Sequence, residues 1–340
     1  MAEEEGQDDG APTAFSEPET MDQLTAHIYR GWEGLSRGDY EAARTSALSA
    51  LDVDSDSPDA HTLWGAVVWS AGATDQALDA FEQAMELEPV KADPFIYAAE
   101  ILSQDAERLT EALSLCDEAI EMLDVEQEPG LFAEAWLVRA EILTEMGKED
   151  AARDIMVRDA ELMEGRGALY ERVGALYVRL GDDGSAERYL RLAMEQGETR
   201  DAQYFLGHIA YRRGDRRQSV LHFLDCRERD LDAISPPWAY SRDAFKLAVL
   251  DALEQAAGKV ERDCSRLIVR CGPYPGTELV LDGVDPRIPV LVGGRDGVSY
   301  MLVYQKNVEK MCRQPEDLHE VLVSVIEEEL RASAGDDVSQ

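Results

Sequence analysis

The chain has 340 residues, 45% of them apolar, with 70 acidic against 33 basic side chains and a formal net charge of -37. That charge argues against binding DNA, RNA or anionic membranes, which all call for positive counter-charge, and no apolar run approaches the roughly 18 residues of a spanning helix. Length and composition allow two globular domains, and the self-repulsion of so acidic a chain points to a source adapted to high ionic strength, where screening relieves it.

Residues 1–21 have neither the basic start nor the apolar stretch of a secretory signal, and are expected to form an acidic disordered tail. From residue 22 to 234 one unit recurs, and it is clearest between Pro58 and Pro89. Gly65 lies where a first helix can approach its neighbour closely, and Gly72 can end that helix. Ala77, Phe81 and Ala84 then fall at helical spacing on one face of a second helix, which Pro89 stops. The position of Ala77 recurs at Ala43, Ala112, Ala152, Ala186 and Ser219, with successive separations of 34, 35, 40, 34 and 33 residues. Six copies fit. Turn residues align with them at Gly38-Asp39, Gly72, Gly147-Lys148, Gly181-Asp182 and Gly214-Asp215, while the third copy has the longer SQDAERLT in place of its turn. Extra residues around Val125 to Leu131, containing Pro129-Gly130, are expected to be a loop.

A pair of short helices cannot bury its apolar face alone, so a period near 34 residues implies stacking into a right-curving array with one continuous core. Residues 24 to 233 resemble the tetratricopeptide repeat family, since small, large and turn residues agree in register over six copies. The resemblance implies a mainly α, superhelical solenoid whose concave groove receives a peptide or another protein. In the last copy Tyr204, His208 and Tyr211, with Arg212 beside them, make one stripe on that surface. Arg172 and Arg179 are its neighbours in the fifth copy, and Trp69, Tyr97 and Leu137 hold similar places earlier. Tyr and Arg dominate binding hot spots, so this groove is a candidate grip for an acidic or carboxylate-terminated segment. The alternative is that the aromatics pack half-buried and the arginines pair with local Asp and Glu. No Lys/Asn carboxylate clamp of the chaperone-binding members is present.

The repeat pattern ends at Ser235-Pro236-Pro237, a domain boundary. Ser241 or Asp243 can cap a helix through FKLAVLDALEQAA, with Phe245, Val249 and Leu253 on one side. SRLIVRC, ELVLDG, VDPRIPVLVGG and SYMLVYQKN read as short strands separated by turns. A last helix follows Pro315, with Leu318, Leu322, Val325 and Ile326 as its apolar stripe. Residues 238–333 thus form a small α+β domain, followed by a flexible tail over 334–340.

The order of these elements, with FKLAVLDALEQ, SRLIVRCGPYP, the Pro315-Glu316 helix start and Gly335, is similar to the minimal zincin-like metallopeptidase domain of bacteria. In active members the last helix contains HExxH, whose two His bind zinc while the Glu activates water. Here that alignment puts Glu328, Glu329 and Ala332 at the motif, or Glu327, Glu328 and Arg331 after a slip of one. Neither register supplies a histidine, and His319-Glu320 has Val323 at its i+4 position, so His319 is read as a surface residue. The resemblance implies an inactivated peptidase kept for its shape.

Other chemistry is not signalled. Asp52, Asp54 and Asp56 begin like a calcium loop but continue with Ser57 for Gly and Leu63 for the bidentate Glu, and Gly293 to Gly297 lacks the features of a phosphate cradle. The five cysteines have no metal-ligand spacing. Cys116 and Cys226 fall at core positions, an extended strand would hold Cys264 and Cys271 apart, and the set, with Cys312, reads as reduced and cytoplasmic. The sequence therefore predicts a non-enzymatic scaffold or adaptor with no catalytic residue, cofactor or metal. Its carboxy-terminal domain would cap the solenoid or add a second docking surface. A metal-dependent peptidase with carboxylate ligands is the competing expectation.

Overall fold

The computed structural model of the protein describes residues 22–156, 167–197, 200–233, 235–236, 238–261, 263–295, 298–312 and 314–336. The tail expected over 1–21 lies outside them.

Among the described residues twelve helices form six hairpins: α1 (Gln23–Ser36) with α2 (Tyr40–Val53), α3 (Pro58–Ser70) with α4 (Thr74–Leu87), α5 (Ala92–Leu102) with α6 (Leu109–Met122), α7 (Pro129–Glu145) with α8 (Glu149–Met156), α9 (Gly167–Arg179) with α10 (Asp183–Glu195), and α11 (Arg200–Arg212) with α12 (Arg216–Leu231). The turns show why the unit is so regular. Gly181 closes α9 in the left-handed region, at φ 76°, where a side chain is strained. Asp182 then caps α10, its carboxylate accepting from the backbone N–H groups of Gly184 and Ser185. Gly38-Asp39 and Gly214-Asp215 follow the same plan, with Asp39 accepting from Ala42 and Asp215 from Gln218.

Burial follows the repeat. Ala43, Ala77, Ala112, Ala152, Ala186 and Ser219 are all in the interior. Gly65, Gly174 and Gly207 each lie against a large side chain sixteen residues on in the partner helix, namely Phe81, Leu190 and Phe223. Neighbouring hairpins share half-buried residues such as Trp64, Leu78, Met85 and Leu113, which join the local clusters into one elongated core.

The expected loop around Val125 to Leu131 is shorter than foreseen, because α7 already begins at Pro129. Proline is suited to the first helical position, where its missing N–H would have had no partner. Leu137 is also not on the groove surface; it is 1% exposed and belongs to the core.

Beyond the repeats come α13 (Arg242–Lys259), β1 (Ile268–Gly272), α14 (Thr277–Leu281), β2 (Val290–Arg295), β3 (Val298–Tyr304), α15 (Gln305–Glu309) and, after a 3-10 turn at Pro315–Asp317, α16 (Leu318–Asp336). Ser241 caps α13, accepting from Ala244. The sheet order is β1-β3-β2, with β1 parallel and β2 antiparallel to β3, in the registers Ile268↔Tyr300 and Val290↔Val303. ELVLDG, expected as a strand, is instead α14: Gly276 opens the turn, and only Val280 of this segment is buried, so the two-residue alternation of a strand finds no second face. Helix α16 runs through Asp336, into the expected tail. Phe245, Val249, Leu322, Ile326, Met301 and Val303 form the core between α13, α16 and the sheet.

Candidate protein-binding groove

The candidate residues all lie on the first helices of repeats, α3, α5, α9 and α11, in two stretches. At α11, Tyr204 and His208 face not open space but a loop of the carboxy-terminal elements. The Tyr204 hydroxyl donates to Asp285 Oδ2 at 3.1 Å, and His208 Nε2 lies 3.0 Å from the same oxygen, at ion-pair distance without hydrogen-bond alignment. Arg287 spreads over the Tyr204 ring, 4.6 Å from its centroid. It also reaches Asp201 Oδ1 at 2.6 Å and donates to Asp230 Oδ2 at 2.9 Å. Burial, with Asp285 beside it, raises the Tyr204 phenol above its ordinary range.

The loop is pre-shaped for this insertion. Asn307, 3% exposed, donates from Nδ2 to the carbonyls of Pro286 and Ile288 at 3.0 and 2.9 Å, and the Asp285 carboxylate accepts from the Arg287 N–H at 2.7 Å. Arg227 on α12 further ties the two parts by donating to the Pro275 carbonyl at 2.6 Å. The carboxy-terminal elements also face α4, α5 and the turn before α6 across a cleft of about 520 Å³.

Further along, α5, α7 and α9 leave a cleft of about 450 Å³ lined by Glu100, Glu141, Glu145 and Arg179 among others. Arg172 pairs with Glu141 at 2.6 Å and Glu100 at 3.3 Å, and Arg179 with Glu145 at 2.6 Å. Both arginines are therefore neutralised by local carboxylates. Burial, with Glu141 and Glu134 nearby, raises the Glu100 carboxyl above the usual range despite Arg172.

Trp69 and Tyr97 are half-buried: Trp69 packs on the cluster around Val68 and Phe81, and Tyr97 stacks between Trp32 and Phe81 with centroids 6.0 and 5.6 Å away. Tyr211 is 66% exposed, and Arg212 is engaged by Asp183. The groove partners missed by sequence reasoning are Asp201, Asp285, Arg287, Glu100 and Glu141. The one local signal was the segment VDPRIP, in which two prolines stiffen a loop carrying opposite charges.

The glutamates of α16 point to separate partners. Glu327 meets Arg331 at 2.6 Å and Lys259 at 3.4 Å, while Glu329 Oε1 accepts from the Val292 N–H at 3.0 Å. Among the described residues no group of three metal-ligating side chains converges, and no helix is long and apolar enough to cross a membrane. His319 is exposed, paired with Gln255 and Asp251. All five cysteines are thiols; burial pushes Cys116, Cys226 and Cys312 each up to about 12.

Six stacked hairpins, five of them closed by left-handed glycine turns and three with glycine-to-large contacts in register, decide the architecture. The fold is a tetratricopeptide-type solenoid. A crystal structure of the APC/C hetero-tetramer Cut9-Hcn1 is similar over 70% of this chain and 47% of its own, with a TM-score of 0.50 and 20% identity. This chain thus matches about half the length of that neighbour. Looser likenesses are PilF of Pseudomonas aeruginosa, covering 61% of this chain and 91% of its own (TM-score 0.47, 19% identity), and PilW, a type IV pilus biogenesis factor, covering 64% and 95% (0.48, 17%). No protein-family model matches the sequence, and no curated protein does.

Proposed function

We propose that this protein is an interaction scaffold whose concave surface receives a segment of a partner protein along α5, α7 and α9. The observation that carries the reading is the insertion of the Asp285 to Arg287 loop against Tyr204 and His208. The groove already holds one extended segment, its own, by an aromatic platform and charge pairs, as a tetratricopeptide groove would hold a partner's. In this reading residues 22–234 are the solenoid. Residues 238–333 are a zincin-like domain without zinc ligands that closes the carboxy-terminal end of the groove, where an unpartnered last hairpin would expose apolar surface.

The chemistry of the open stretch favours a basic segment over the acidic one expected from sequence. Arg172 and Arg179 are committed to Glu141, Glu100 and Glu145, which leaves the cleft with excess negative charge. A fluorescein-labelled lysine-rich peptide should bind the full chain by fluorescence anisotropy, and Glu141→Lys/Glu145→Lys should weaken it about tenfold or more. Equal affinity for the variant would refute the assignment.

A further inference from the structure

A second surface of opposite sign lies along one edge of the carboxy-terminal sheet. Among the described residues strand β1 is an edge strand, bonded to β3 alone. Between it and the start of α13 runs a cleft of about 410 Å³ lined by Arg242, Asp243, Lys246, Val269, Arg270 and Cys271. Val269 and Cys271 pack toward the helical layer, and alternation along a strand turns Arg270 to the other face. Three consecutive residues can line one cleft only along the backbone edge, so the cleft follows the unpaired N–H and C=O groups of β1. None of these outward groups has a partner among the described residues.

The opposite edge of the sheet is managed differently, since Glu329 caps the Val292 N–H of β2. An unpaired edge is a template for another strand unless something blocks it. The charge around β1 says which strand. In a chain of net charge -37, Arg242, Lys246 and Arg270 gather here, and none forms an ion pair among the described residues. The charges of Lys246 and Arg242 act on Cys271, opposing the rise that burial gives its thiol.

We infer that the cleft between α13 and β1 is a docking site for an extended acidic segment of a partner protein, which adds to the sheet beside β1 while its carboxylates meet Arg242, Lys246 and Arg270. Backbone pairing would supply affinity without sequence, and the three cations would select for acidic residues. The half-buried Val269 and Cys271 make an apolar floor for alternate side chains. This surface is separate from the acidic groove of α5, α7 and α9, so each can fail without the other.

The test uses the full chain and a fluorescein-labelled peptide of about eight residues alternating glutamate with valine. Anisotropy should show binding that weakens about tenfold or more between about 50 and 500 mM NaCl. Arg242→Glu/Lys246→Glu, both at exposed positions, should lower affinity about tenfold or more, while Glu141→Lys/Glu145→Lys in the groove should not lower it. The bound peptide should also slow alkylation of Cys271 by N-ethylmaleimide, followed by mass spectrometry, and a probe with proline at alternate positions should bind no better than background. Undiminished binding to the double variant, or no protection of Cys271, overturns the proposal. So does failure of the full chain to bind, the result expected if its own acidic residues 1–21 held the cleft.

Discussion

Arg287 clasps the buried carboxylate of Asp230, donating from Nε to Oδ2 at 2.9 Å and from Nη2 to Oδ1 at 3.2 Å, and thereby joins the loop after α14 to the last repeat helix. Asp230 is 1% exposed and has Lys310 as a second cation at 2.8 Å. Truncating Arg287 leaves the buried carboxylate with Lys310 as its cation, so Arg287→Ala should destabilise the protein by about 1.5 to 3 kcal/mol through loss of charged hydrogen bonds, read from chemical denaturation. Burial works to raise the Asp230 carboxyl, but hydrogen bonds from Arg287 and Lys310 outweigh it and hold the folded value below 3.8. A depressed carboxyl stabilises the fold above its unfolded value and ceases to do so as pH falls through the folded one. The gap in melting temperature between wild type and Arg287→Ala should therefore be full near neutrality and narrow as pH drops below about 4. A gap that stays constant would show that the pair is not ionised in the fold.

Gly65 is a second point of strict fit. A Cβ built there would lie 2.5 Å from Cε1 of Phe81, whose ring is fully buried and has no room to withdraw. Gly65→Ala adds up to about 1 kcal/mol of helix propensity but must displace that ring, and overpacking costs about 1 to 3 kcal/mol. The net expectation is a loss in thermal stability, with Phe81→Leu in the same chain recovering part of it. A Gly65→Ala protein as stable as wild type would mean that α3 and α4 are not so closely packed.

How far the sequence could be read follows from which interactions are local. The repeat was legible because its glycine turns, aspartate caps and small-residue faces lie within one period of each other. Pro129 misled by resembling a loop residue while opening a helix. The segment at Leu279 to Leu281 misled because β-prone residues were folded into a single turn pinned at Gly276. Tyr204 and His208 could be put in one stripe of α11 from spacing alone. That Asp285 covers them depends on contacts 81 and 77 residues away along the chain, which no periodicity encodes. Likewise the sequence leaves Arg172 open between a groove cation and a local ion pair, and it is the approach of Glu141, on another repeat, that decides for the pair.

The Tyr204 to Asp285 contact makes an alkaline prediction. Burial first, then the Asp285 charge, raise the phenol above 10.0, so the unfolded chain ionises before the folded one. The stability this group contributes is present below about pH 10 and declines as pH rises toward the folded value. Tyr204→Phe should cost about 1 kcal/mol at neutral pH through loss of the hydrogen bond and should flatten the decline of stability above pH 10. Identical alkaline slopes for both proteins would place Tyr204 in water instead of against the loop.

Salt should stabilise this protein, although salt weakens its ion pairs. Exposed pairs such as Arg37 with Glu33, 2.8 Å apart, contribute about 0 to 1 kcal/mol each and lose most of that on screening. The opposing quantity is larger in count: if each of the 33 basic residues neutralised one acid, 37 of the 70 carboxylates would still repel. Repulsion among surface charges spans the whole molecule and falls as the screening length shrinks from about 30 Å at 0.01 M to about 3 Å at 1 M salt. The midpoint of urea unfolding should therefore rise steadily with NaCl over this range, with the steepest gain at the low end. A midpoint that falls with salt would mean that the paired arginines, Arg172 and Arg179 foremost, hold the solenoid together more strongly than its excess charge pushes it apart.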